Sequence, residues 1–117
     1  MANPILTPQT RLIIKVNQLS ETTNCLEPTL FQVHERNNFK LLIGKLNKLH
    51  SKLHFEDINE INIEFVIQEL SNLKSFFDEN LDGTVLMDIE FGEAIDRLLT
   101  HAKTIQLTMA SVLAYGT

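Results

Sequence analysis

The sequence predicts an all-α protein, an antiparallel up-down-up-down four-helix bundle. Three observations lead there. Apolar residues recur at steps of three and four through nearly the whole chain, the period of an amphipathic helix. Four glycines and three prolines in 117 residues are too few for the tight turns of an all-β fold. The breaks between the periodic stretches are short, which favours antiparallel neighbours. A chain of this length is one domain, residues 1–117, and buries about 65% of the surface its unfolded form would expose.

The first helix is expected over 8–22. Thr7 suits an N-cap and Pro8 the first helical position, where its missing N–H is no loss. Leu12, Val16 and Leu19 form its apolar stripe, widened by Ile13. "SETTNCLEP" reads as the break, because Pro28 disfavours helix at the residue before it. The second helix is expected over 28–54, with Pro28 in its first turn and a seam of Phe39, Leu42, Leu46, Leu49 and Leu53. Gly44 falls inside it at a cost of about 1 kcal/mol relative to Ala, and a close helix approach is the expected reason.

"HFEDINEIN" is the next break, with Asp57, Asn59 and Asn62 as candidate caps. The third helix is expected over 58–78, with a seam of Ile63, Val66, Leu70, Leu73 and Phe77. "DENLDGT" separates it from a fourth helix over 85–114. Its seam runs Phe91, Ile95, Leu98, Ala102, Ile105, Met109 and Val112 without a miss, and it should span roughly 40 Å. No solenoid-length repeat and no low-complexity segment interrupts the pattern.

Composition narrows the function classes. The hydrophobic fraction is 44% and the charged fraction 21%, ordinary for a globular protein. No apolar run is long enough to span a membrane, and "MANPILTPQTRL" lacks the pattern of a secretory signal. Cys25 stands alone and cannot form an internal disulfide, so a reducing, cytoplasmic setting is expected. The net charge of −5 disfavours a nucleic-acid partner. That charge is unevenly spread. Arg36, Lys40, Lys45, Lys48 and Lys52 lie in 36–54 without an acid, whereas 56–96 is acid-rich with Lys74 as its one cation. A basic helix lying beside acidic ones is the simpler reading, an anionic partner the sharper one.

One stretch carries a motif. In "FFDENLDGTVLMDIEFGEAI", Asp78, Asn80, Asp82 and Gly83 occupy the first, third, fifth and sixth places of a calcium loop. Thr84 would offer its carbonyl at the seventh. The segment resembles an EF-hand over about 20 residues. It departs where the bidentate Glu belongs: the twelfth residue is Ile89, and Glu90 is one place late. The ninth, Leu86, cannot ligate through its side chain. A one-residue slip turns a helical side chain by about 100°. The expected reading is therefore a capped turn, with positive φ at Gly83 and capping by Asp82 or Thr84. No metal is favoured; Asp78, Asn80, Asp82, Thr84 and Glu90 are the weak calcium set.

The histidines carry less. His50 and His54 are four apart, half of a zinc site, with no third ligand set by spacing. The Glu-x-x-His pairs of a di-iron bundle are absent. In "LLTHAKT", His101 lies on the fourth helix, and the domain resembles histidine phosphotransfer domains in size and helix count. That family's Lys-Gly pair after the histidine is missing, since Lys103 follows but no Gly does. No catalytic set and no cofactor site emerges.

The expected function is that of a small non-enzymatic interaction or regulatory bundle, acting on a protein partner through helix faces and as a homodimer. Leu107, Val112, Leu113 and Tyr115, near the end of the long fourth helix, are the interface candidates. The alternatives are a calcium-responsive protein using the 78–90 loop and, below it, a phosphotransfer domain using His101.

Overall fold

Four helices build the protein: α1 over Pro8–Asn24, α2 over Val33–Phe55, α3 over Ile63–Asn80 and α4 over Phe91–Tyr115. The computed structural model describes residues 7–55, 62–81 and 83–115, and not the side chains of 54, 55, 88 and 111–115. Among the described residues no strand occurs. α1 packs on α2 and α4, and α3 packs on the same two helices. This closed square agrees with a four-helix bundle and is compatible with up-down-up-down order.

Each helix begins where local chemistry allows. The Thr7 hydroxyl accepts from the Thr10 N–H at 3.1 Å, and Pro8 follows it as expected. α1 then runs two residues beyond the expected end, to Asn24. α2 departs further from expectation. Pro28–Leu30 forms a separate short 3-10 turn, Phe31 is extended, and the helix starts at Val33 rather than Pro28. Two features set the later start. The Glu35 carboxylate reaches back to accept from the Gln32 backbone N–H at 2.8 Å, one half of a capping box. The Phe31 side chain is buried and stacks on Phe39, with ring centroids 4.1 Å apart, and a continuous helix would carry that ring away.

α3 starts at Ile63, not near 58; the intervening candidates Asp57 and Asn59 lie outside the described residues. Asn62 takes the N-cap place without a side-chain capping bond. α3 ends at Asn80. α4 starts at Phe91 instead of 85, because Val85–Ile89 winds as a 3-10 turn and Glu90 is left-handed at φ 53°. Every seam residue expected from Leu12 to Ile105 is buried, and Met109 is partly buried against the same core. The spacing did not mark Phe31, Ile67, Leu81 and Leu86, which join that core from turns or from a seam's flank.

Among the described residues the two buried polar ones, Ser20 and Thr23, are satisfied. The Thr23 hydroxyl donates to the Leu19 carbonyl at 2.7 Å. The Ser20 hydroxyl donates to Asn47 Oδ1 at 3.1 Å, and Asn24 Nδ2 donates to the same oxygen at 3.0 Å, which registers α1 against α2. At Gly44 the expected close approach is absent: the position is exposed, and an added Cβ would meet nothing within 4 Å. The close approach is at Gly92 instead, where a Cβ would lie 3.1 Å from the Phe77 ring.

Two stability predictions follow from this packing. Leu70→Ala and Leu98→Ala, at 0% and 3% exposure, should each cost about 2–5 kcal/mol in chemical denaturation; a loss below about 0.5 kcal/mol at both would contradict the core assignment. Gly44→Ala should stabilise the protein by up to about 1 kcal/mol, since only helix propensity changes; a lower thermal midpoint would show a contact the open surroundings do not contain.

Candidate functional site

The loop between α3 and α4 is hydrogen-bonded as a turn. Asp78 is exposed, and both its oxygens accept from Lys74 Nζ at 2.9 Å, one turn back on α3. Asn80 Nδ2 donates to the Phe76 carbonyl at 3.0 Å. Two of the sequence-derived calcium ligands are thus directed back along α3. Gly83 takes the expected positive φ, 83°. Thr84 donates to the Leu81 carbonyl at 2.6 Å and accepts from the Leu86 N–H at 3.4 Å. It therefore caps the 3-10 turn rather than α4 itself. Leu86, in the ninth loop place, is fully buried. Glu90 is exposed in its left-handed conformation, and Asp82 lies outside the described residues.

No group of three or more His, Cys, Asp or Glu side chains that could hold a metal ion occurs among the described residues. His50 is half-buried, and the side chain of His54 is not among those described. Cys25 is exposed just beyond the end of α1.

A cavity of about 240 Å³ does open on the α3 side of α4, between Lys74, Phe77, Asp78, Gly92, Glu93 and Asp96. It holds its own counter-cation. Lys74 bonds Asp78 and stands 4.0 Å from Asp96. These pairs contribute little to stability, and with three carboxylates against one lysine the groove stays net acidic.

The basic face of α2 is likewise engaged within the molecule in part. Lys52 Nζ lies 4.5 Å from the centre of the Phe65 ring and Lys45 Nζ lies 5.6 Å from that of Phe76, both rings on the acidic α3. Sequence reasoning paired these helices by charge, and these two contacts add aromatic faces to that pairing.

His101 faces α1. Its Nδ1 is buried with no hydrogen-bond partner, and the backbone of Pro8, at the start of α1, lies beside the ring. Burial lowers its pKa below the ordinary 6.5, and Lys15 adds to this; the backbone of Pro8 opposes it, and Arg11 lowers it further. An imidazole packed in this way suits a structural role between two helices.

At the far end of α4, Gln106 Nε2 donates to Glu64 Oε2 at 2.7 Å and pins the helix to the start of α3. Ile105 is the last fully buried α4 residue among those described, and Leu107 is 69% exposed. Val112, Leu113 and Tyr115 continue the helix, their side chains not described.

Comparison with protein-family models, with curated proteins and with solved structures finds no match. No helix among the described residues is long and apolar enough to cross a membrane.

The lowered pKa of His101 gives stability a pH dependence. The unfolded chain takes up the proton near 6.5 and the folded one only below that, so the unfolded state binds more protons between the two values. This contribution is complete above about pH 6.5 and is lost as the pH falls through the folded pKa. Thermal midpoints measured from about pH 7.5 to pH 5.5 should therefore fall further for the native chain than for His101→Gln. Parallel curves would show that His101 is not held neutral.

Proposed function

We propose that this chain is a small non-enzymatic interaction or regulatory module that works through helix faces and self-associates through the C-terminal end of α4. The observation that carries the reading is the mismatch between α4 and its neighbours. α4 has 25 residues, about 37 Å, against 17 for α1 and 18 for α3, about 26 Å each. Among the described residues Ile105 is the last buried one of α4, with Met109 partly buried beyond it, and at Ile105 the neighbouring Gln106 meets the first turn of α3. The sequence beyond, "LTMASVLAY", contains no charge. An uncharged helical end of this length beside an exposed Leu107 is suited to a partner helix, and a second copy supplies the same surface in a twofold arrangement.

Non-enzymatic action is supported by the way the candidate polar groups are engaged. Asp78, Asn80 and Thr84 serve the turn, and His101 serves the α1–α4 contact. A protein partner is proposed on the same ground, and an internal, reducing compartment on the lone exposed Cys25.

The test is size-exclusion chromatography with light scattering. The full chain should run as a dimer at about 100 µM, and truncation after Met109 should shift it to monomer while leaving its helical circular dichroism nearly intact. A full-length chain that stays monomeric at that concentration refutes the reading.

A further inference from the structure

The two flanks of α4 carry opposite charge, and only the acidic one holds a counter-ion. Toward α3, Glu93 and Asp96 face the cavity that holds Lys74. Toward α1 lies a second cavity, about 320 Å³. Lys15 of α1 and Arg97 of α4 are among the residues that line it. Both are exposed, and neither has an ion-pair partner among the described residues. No carboxylate is among the residues that line it. Its apolar lining is Leu19 and Leu98, both buried, with Ala94 from α4 and Ile89 from the 3-10 turn partly buried beside them; Gln18 and Thr22 of α1 complete the lining.

We propose that this groove between α1 and α4 binds a small amphipathic carboxylate, its charged end held between Lys15 and Arg97 and its hydrocarbon chain on Leu19, Ala94, Leu98 and Ile89. Two like charges facing one groove repel, and an anion between them turns that repulsion into two charge-assisted contacts. A guanidinium matches a carboxylate with paired N–H donors, and an ammonium adds a point charge beside it. An inorganic anion would satisfy the charges but leave the apolar floor wet, whereas a hydrocarbon tail removes that surface from water. The chain's net charge of −5 disfavours a dianion against a monoanion. At about 30 Å³ per water in the liquid, the cavity takes a molecule of roughly ten heavy atoms, the size of octanoate.

The geometry explains why the site forms at this place. The 3-10 turn and left-handed Glu90 delay the start of α4 to Phe91 and bring Ile89 over the α1–α4 seam as one wall of the groove. Arg97 then falls on the α1 side of α4, while Glu93 and Asp96 line the cavity on the α3 side. The α4 residues of the groove, Ala94 to Leu98, lie about two to three turns of helix before Ile105, the last buried α4 residue among those described, so occupancy and self-association are separable.

The experiment is a nitrogen-15 NMR titration of the full chain with octanoate, alongside octanol and inorganic phosphate. Octanoate should give saturable shifts at the amides of Leu19, Ala94 and Leu98. Lys15→Gln with Arg97→Gln should weaken binding about tenfold without loss of helical circular dichroism, since both positions are exposed. Raising salt from about 0.05 to 0.5 M should weaken octanoate binding to the native chain in the same direction. Four results would each overturn the proposal: no saturable shift at these residues by about 10 mM, octanol binding as tightly as octanoate, phosphate binding as tightly as octanoate, or full affinity in the double variant. Because the readout is local to the groove, a monomeric chain that still binds octanoate separates this site from the dimer reading.

Discussion

The structure depends on one constraint, that four apolar seams must close on each other to leave water. Most of a helix's stability comes from packing: each helix here buries one stripe, and the gain of about 25 cal/mol per Å² comes when the stripes meet. Leu12, Leu42, Leu70 and Ile95 are each fully buried, one from each helix. With the core closed, polar groups at the seams have little choice. Ser20, Asn24 and Asn47 bond to each other because α1 and α2 bring them together, and Thr23 bonds its own helix.

The segment from Leu81 to Phe91 shows how the core overrides a local motif. Leu81 and Leu86 point inward and are fully buried, and Phe91 packs on Phe77 with ring centroids 5.2 Å apart. Between these anchors the backbone must turn sharply, and it does so with Gly83 at positive φ, a 3-10 turn and left-handed Glu90. A calcium loop requires its oxygens to converge on a shared centre. Here the apolar residues of the loop converge, and Asp78 and Asn80 are directed onto α3.

Charge is distributed around this frame rather than within it. α2 lays Lys45 and Lys52 on aromatic rings of α3, α3 supplies Lys74 to its own acids and to α4, and α4 divides its charges between its two flanks. Only the α1 flank of α4 is left with two cations and no facing carboxylate among the described residues. The charge asymmetry is legible in sequence as blocks of like sign. The pairing is not, because it depends on which turn of which helix faces which groove.

The sequence by itself determined the helical class, the number of helices and nearly the whole core. Burial selects for a 3.6-residue period, and a period is a local property that survives without coordinates. That is why the expected seam residues from Leu12 to Ile105 are buried as read. Thr7, Pro8 and Gly83 were legible for the same reason, since caps and positive φ are set within a few residues. The tertiary structure alone decided the starts of α2 and α4, the burial of Phe31 and Leu86, the open surroundings of Gly44 and the close contact at Gly92. It alone brought Lys15 and Arg97 to one groove, residues 82 positions apart on different helices. Such contacts depend on how rigid helices dock, and docking is fixed by the fit of whole faces, which no short window of sequence contains.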